Sequence, residues 1–346
     1  MMVENRASDL YMIAGEPIIA RIHGSLRRLN EEKILEDEDV INVASSIFTE
    51  EQLKALDEEK NVDFAIEIGS EEEGGPWRLC GNAYEQKNGL NIVFRLIPNK
   101  VPTLEELNLP STLANLTKYR QGLILCTGQA GCGKTATIAA LLDIVNHTTP
   151  AHIITVEDPI EYKFTSDLAL INQRQVGRDV ESFSLALKGA LREDPDIIFV
   201  GELRDLETIS LAVTAAETGH LVFATLHTNS AAKAVDRLID SFPIEQQAQI
   251  RIMISESLRG VIAQQLIPRK DGNGRVVAVE VLANNTNVSN LIRDGKTYQI
   301  GMTMQTGKKE GMCLMDDSIM SLFKKGLISK EEAEGRSIHR DAYSDL

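Results

Sequence analysis

The chain has 346 residues, 43% hydrophobic and 25% charged, the balance of a water-soluble globular protein of about two domains. Its formal charge of −15 argues against a nonspecific grip on nucleic acid, which needs a basic surface. No apolar run approaches the roughly 18 residues of a membrane helix, and the start MMVENRASDL has no apolar signal core, so the expected location is the cytoplasm.

The first elements predicted are short strands, Ser8–Met12, Ile18–Ile22 and Leu26–Leu29, with turns at Gly15-Glu16-Pro17 and His23-Gly24. Val40–Phe48 and Glu50–Glu59 read as helices, the second capped by Thr49. Val62, Phe64, Ile66 and Ile68 then alternate with Asp63 and Glu67, a half-buried strand, and Glu71-Glu72-Glu73-Gly74-Gly75 reads as a solvated hairpin tip. Trp77–Tyr84 and Leu90–Leu96 continue the sheet. Leu90, Ile92, Phe94 and Leu96 share one face, Arg95 falls on the other, and Arg78 opposes Trp77 and Leu79. Both arginines are therefore expected on an exposed face, outside this domain's core.

The boundaries expected are a small N-terminal domain over 1–97, a linker over 98–110 that carries prolines, and a second domain over 111–346. In the second domain strands alternate with helices, which implies a mostly parallel sheet. Strands are predicted at Leu123–Cys126, His152–Val156, Ile197–Val200, Leu221–Leu226 and Arg275–Leu282. Helical stripes are Ile138, Leu141, Leu142 and Val145; Phe183, Leu187, Ala190 and Leu191; Ile209, Val213 and Ala216; and Val235, Leu238, Ile239 and Phe242. Glu245–Leu266 reads as one long helix, and the last stretch as small helices with a polar tail.

Gly128, Gly133, Lys134 and Thr135 fit G-x-x-x-x-G-K-[ST], the phosphate-binding P-loop. A strand precedes it and a helix follows, the context the motif requires. Gly128-Gln129-Ala130-Gly131-Cys132-Gly133 supplies converging N–H groups, and Lys134, Thr135 and Ala136 open a helix whose positive end faces the same point. Lys134 is a cation for the outer phosphates and the Thr135 hydroxyl a Mg²⁺ ligand. Cys132 beside Lys134 is either a reactive thiol or a plain small filler. Cys80, Cys126, Cys132 and Cys313 form no C-x-x-C pair, so no zinc site or disulfide framework is suggested.

Hydrolysis also needs an oriented water, and carboxylates at the C-terminal ends of parallel strands are where to look. Ile197–Val200 runs into Gly201-Glu202, a Walker-B pattern with glycine in place of the usual aspartate; Glu202 is placed to polarise water. His152–Val156 runs into Glu157-Asp158-Pro159-Ile160-Glu161, a cluster for a cation or water, or an acidic surface loop. His220 and His227 flank the strand Leu221–Leu226 at opposite ends, too far apart to share a metal; each is a phosphate sensor or carboxylate holder, or a structural histidine.

Taken together, GQAGCGKT, ITVEDPIEY, DPDIIFVGELRD and TGHLVFATLHT resemble the Walker A, Asp box, atypical Walker B and His box of the secretion ATPase superfamily of type II secretion and type IV pili, in the family's order. ASDLYMIAGEPIIARIHGSLRRL resembles the family's second N-terminal domain, so nearly the whole chain is covered. ALREDPDIIFVGELRDLETI and SAAKAVDRLIDSFP are most similar to its pilus-retraction branch, and AQQLIPRKDGNGR to a paralogue of that branch. The branch's AIRNLIRE motif is matched in its second half only, over Asn287–Asp294, and the tetracysteine module of assembly motors is missing.

The resemblance implies an α/β fold: an N-terminal α/β, PAS-like domain with an antiparallel sheet, then a RecA-like P-loop NTPase domain. It implies ATP and Mg²⁺ as cofactors and a homohexamer. Gly131, Gly133, Lys134 and Thr135 would bind phosphates and metal, Glu202 would orient water, and Glu161 and Glu157 would assist metal or water binding. His227 would read the γ-phosphate, while Arg78 and Arg95 would reach the phosphates from the small domain. The motor would work at the cytoplasmic face of the inner membrane on a pilus platform protein, with no nucleic acid and no transmembrane segment of its own. Other classes are an extension or secretion motor of the same superfamily, a RecA-like nucleic-acid motor and a non-hydrolysing nucleotide-binding regulator.

Overall fold

The computed structural model describes residues 2–5, 7–29, 33–69, 77–97 and 100–343, and the chain divides between Lys100 and Val101 into two units. The hairpin tip expected at Glu71–Gly75 lies outside the described residues, as do Pro98 and Asn99 of the expected linker.

The first unit contains β1 (Ala7–Ile13), β2 (Ile19–Ile22), β3 (Ser25–Arg28), α1 (Asp37–Ile47), α2 (Glu50–Glu59), β4 (Asn61–Ile68), β5 (Trp77–Gln86) and β6 (Gly89–Ile97). The strands form one antiparallel sheet in the order β3-β2-β1-β6-β5-β4. Strand alternation turns Phe64, Ile92 and Phe94 toward Val40, Ala44 and Phe48 of the helical layer. Phe64 is the hinge of an aromatic trio, 4.8 Å from the Phe48 ring and 5.5 Å from that of Phe94. Thr49 begins α2 as expected: its side chain accepts from Gln52 N at 3.3 Å, and Gln52 Oε1 accepts from Thr49 N at 3.0 Å.

The second unit contains β7 (Gly122–Thr127), α3 (Lys134–Thr148), β8 (His152–Glu157), β9 (Leu170–Gln175), α4 (Phe183–Ala190), β10 (Ile197–Val200), α5 (Leu206–Glu217), β11 (Leu221–Leu226), α6 (Ala231–Asp240), α7 (Ile244–Ser257), β12 (Leu258–Pro268), β13 (Arg275–Ala283), α8 (Thr286–Arg293), α9 (Ile300–Thr306), α10 (Met315–Lys324) and α11 (Lys330–Arg336). Its sheet runs β13-β12-β7-β11-β10-β8-β9, parallel except for β13. Every residue of β7, β10 and β11 is buried, as helices on both faces of a parallel sheet require. Leu123 and Leu125 enter one core layer with α4 to α7; Ile124 and Cys126 enter the other with α3.

Three sequence expectations change. Glu245–Leu266 is not one helix: α7 ends at Ser257 and β12 begins at Leu258. No turn residue separates them, and the short apolar stretch Val261–Ala263 suits either element; pairing with β7 decides it. Gly260 lets Leu116 and the β13 backbone come close to this strand, since a Cβ there would lie 2.9 Å from Leu116 Cδ2 and 3.0 Å from Leu282 O. The edge strand β9 has a polar sequence, LINQRQ, and carried no strand signal. The stretch from Val101 to Pro110 belongs to the second unit, where Leu104 and Leu109 pack with Leu113, Leu116 and Ile124.

Candidate nucleotide site

The register of the parallel strands levels their C-terminal ends: Thr127 of β7 faces Leu226 of β11, and Val200 of β10 lies between Ala224 and Val156 of β8. Every loop that leaves these ends reaches the same edge of the sheet. The P-loop leaves β7. Gly128, at φ 147°, must be glycine, because a Cβ would lie 2.5 Å from both Cys132 Sγ and Gln264 O. Gly133, at φ 92°, caps α3 in the left-handed region with open space around it. Lys134 is 8% exposed, and its Nζ donates to Gly128 O at 2.9 Å and Gln129 O at 3.1 Å. The loop thus already curls around a cation. Gln129, Ala130 and Gly131 are exposed, and Thr135 and Ala136 half-buried at the start of α3.

Beneath the loop Gln264 of β12 accepts from Cys126 Sγ at 3.1 Å and donates to Thr137 Oγ1 at 2.8 Å. Beside it lies a cavity of about 180 Å³, with Gly128, Ala130, Cys132, Gln264, Arg275 and Arg336 on its walls. Burial raises the Cys132 thiol above its ordinary value, against the pull of Lys134. Of the two readings of Cys132, the structure supports the inert filler.

His227 and Glu202 meet at the mouth of the loop. His227 Nδ1 is 3.5 Å from Lys134 Nζ, and Nε2 is 3.0 Å from Glu202 Oε1. A proton on Nε2, with Nδ1 accepting from the ammonium, satisfies both contacts. The histidine's loop is pinned by Thr127, whose buried Oγ1 accepts from Thr228 N at 2.8 Å and donates to Thr228 O at 2.7 Å. Glu202 Oε2 accepts from Arg204 Nε at 2.7 Å, and Arg204 Nη1 reaches Asp158 Oδ2 at 3.5 Å. The bond to Glu202 raises the guanidinium pKa.

Gly201, where a Walker-B aspartate would stand, is tightly set. A Cβ there would stand 3.1 Å from Val156 O and 3.2 Å from Glu157 Cα, so a side chain would crowd the backbone of β8 and need it to give by a few tenths of an ångström. Glu157 is buried and tied down, accepting from Thr155 Oγ1 at 2.6 Å and Gln173 Nε2 at 3.2 Å. Glu161 is half-buried beside Tyr162, whose hydroxyl is pushed up to about 12 by burial and then by the Glu161 charge. Asp205 is a helix cap, accepting from Thr208 N at 2.9 Å. Among the described residues no three His, Cys, Asp or Glu side chains cluster to hold a metal ion.

Of the remaining predicted residues, His220 belongs to the second unit and Arg78 and Arg95 to the first. His220 sits at the start of β11, the far end of the sheet, with Nδ1 3.0 Å from Ala215 O. Arg78 is buried, not exposed, and its Nη1 has no hydrogen-bond partner among the described residues. Arg95 is exposed but engaged, with Nε 2.9 Å from Asp9 Oδ1 on the neighbouring strand. Arg204, Thr127, Thr228, Gln173 and Gln264 were not singled out from sequence. For Arg204 the signal was its place two residues after Glu202; for Gln264 there was none, because its strand read as helix.

Residues 2–291 match the Type II/IV secretion system protein family. The chain is 47% identical over 331 residues to a Pseudomonas aeruginosa protein named Type IV pilus retractation ATPase PilT, covering 96% of this chain and 94% of that one. It is 45% identical over 345 residues to a Neisseria gonorrhoeae twitching motility protein, covering 98% and 91%. The crystal structure of the pilus retraction motor PilT with bound ADP superposes with a TM-score of 0.87 at 42% identity, over 99% of this chain and 97% of that one.

Proposed function

The chain belongs to the type II/IV secretion system protein family, and we propose that within it this protein is an ATP-hydrolysing motor for type IV pilus retraction. The observation that carries the reading is the contact series Lys134–His227–Glu202 at the mouth of a formed P-loop, in a chain so similar to proteins named for retraction and twitching.

The residues present fit a nucleoside triphosphate. Gly131 and Gly133 leave open space at the loop surface, and among the described residues Lys134 has only backbone carbonyls and His227 to give up. In the proposed reaction the loop N–H groups and Lys134 hold the outer phosphates. Thr135 and Glu161 would hold a Mg²⁺ ion that enters with the nucleotide, which would supply neutralisation of the phosphate charge. Glu202 accepts the proton of the attacking water. His227 turns to the γ-phosphate and so reports its presence. Arg78 and Arg95 add positive charge to the phosphates, and Glu157, from its buried position, stiffens the acidic loop. Six copies form the working ring, which acts on a platform protein at the cytoplasmic face of the inner membrane. No helix among the described residues is long and apolar enough to cross a membrane.

Deletion of the protein should leave cells piliated, with excess pili, yet unable to twitch. Loss of surface pili would make it an extension motor instead, and normal twitching would remove it from motility.

A further inference from the structure

The polar contacts at the site form one series that follows the sheet. Lys134 stands beyond β7, His227 beyond β11, Glu202 and Arg204 beyond β10, and Asp158 beyond β8. These strands are consecutive neighbours in the order β7-β11-β10-β8. The series therefore crosses four adjacent strand ends, with each side chain touching the next: 3.5 Å, 3.0 Å, 2.7 Å and 3.5 Å. Glu202 is at its centre and has both oxygens engaged, Oε1 by His227 and Oε2 by Arg204.

We propose that Arg204 is the positioning residue of Glu202, a role that rests on the reading of Glu202 as the base. The two contacts on the carboxylate are not equivalent. His227 also faces Lys134, inside the P-loop mouth, so it is the partner that a γ-phosphate draws away. Its departure uncovers Oε1 on the side where the water must lie. A carboxylate with no other contact would then rotate, and its lone pair would lose its aim. Arg204 prevents this by keeping Oε2.

The local structure suits that task. Leu203 is buried and Asp205 caps α5, so the backbone on both sides of Arg204 is fixed. The guanidinium uses Nε for Glu202 and Nη1 for Asp158, two donors of one rigid plane. A lysine offers one ammonium and no such fork. Asp158 holds the far side of the guanidinium, so the aim of Glu202 is referred to the β8 loop rather than to solvent. The arrangement gives nucleotide-gated chemistry: without a γ-phosphate the base is covered, and with one it is uncovered but still oriented.

The test uses the full chain and measures ATP turnover and ADP binding for Arg204→Ala, Arg204→Lys, Glu202→Gln and the double variant Glu202→Gln/Arg204→Ala. Loss of aim is expected to lower kcat of Arg204→Ala by about 10- to 100-fold. KM for ATP and Kd for ADP should stay within about twofold, and Arg204→Lys should recover part of the rate. In the Glu202→Gln background the arginine change should cost less than about twofold, because the group it orients is gone. An undiminished penalty in that background, or a matching loss of ADP affinity, would show that Arg204 acts on something else and would overturn the proposal. The base reading fails separately, if Glu202→Gln alone keeps near-normal turnover. Thermal unfolding of each variant guards against a folding defect, and Arg204→Lys preserves the charge if Arg204→Ala does not fold.

Discussion

His227 Nε2 lies 3.0 Å from Glu202 Oε1, so the residue proposed to read the γ-phosphate covers the residue proposed to activate water. Its other nitrogen, Nδ1, faces Lys134 in the mouth of the P-loop at 3.5 Å. A swing of the ring toward a bound phosphate would therefore draw Nε2 off Glu202 and couple sensing to release of the base.

The first prediction separates binding from chemistry. Glu202→Gln should bind Mg-ATP normally and hydrolyse it at least ~100-fold more slowly, because the water loses its proton acceptor. Lys134→Ala should weaken nucleotide binding itself, since the loop loses the cation it now encloses. Fluorescent-nucleotide binding and phosphate release measure the two effects. Near-normal turnover of Glu202→Gln would transfer the base to Glu161 or Glu157.

The two histidines should behave differently. His227→Ala should lower kcat by roughly 10-fold or more, whereas His220→Ala should keep kcat within about twofold, since its ring contacts the end of α5 on the far side of the sheet. Equal loss in both variants would mean that His220 acts on a site its own chain does not bring it to.

Arg78 and Arg95 should also differ. Arg78 has a buried Nη1 without a partner among the described residues, while Arg95 is held by Asp9. Arg78→Ala should cut kcat by ~10-fold or more, and Arg95→Ala by less unless Asp9 gives up its partner during turnover. Unchanged kcat in both would return them to structural roles in the first unit.

Cys132 gives a pH dependence with a definite sign. Its folded pKa lies above the ordinary thiol value of 9.0, chiefly through burial. The stability this contributes is complete below pH 9 and is lost as pH rises from there through the folded value, because the unfolded thiol ionises first. Thermal midpoints between pH 8 and 10 should therefore fall more steeply in the wild type than in Cys132→Ala. Thiol reagents at pH 7.5 should label Cys132 slowly until the protein unfolds. Fast labelling of the native protein would contradict the buried geometry.

Local signals were enough for much of this protein. The P-loop was legible because glycines with positive φ, a lysine and a helix start occupy consecutive positions, and the loop's shape follows from nearest neighbours in sequence. The stripes of α3 and α6 and the Thr49 cap were legible for the same reason. Glu202 and His227 could be named separately, because each follows an apolar strand. What the sequence could not contain was strand order. Only the placement of β11 between β7 and β10 brings His227 between Lys134 and Glu202. Only the neighbour β8 gives Arg204 an aspartate to hold and sets its backbone close against Gly201. The same is true of β12: its residues suit helix or strand alone, and pairing with β7 chooses the strand and slides Gln264 under the P-loop. Contacts within a few residues of one another are set by local propensity. Contacts between strand ends are set by burial of the whole sheet, which no short window of sequence carries.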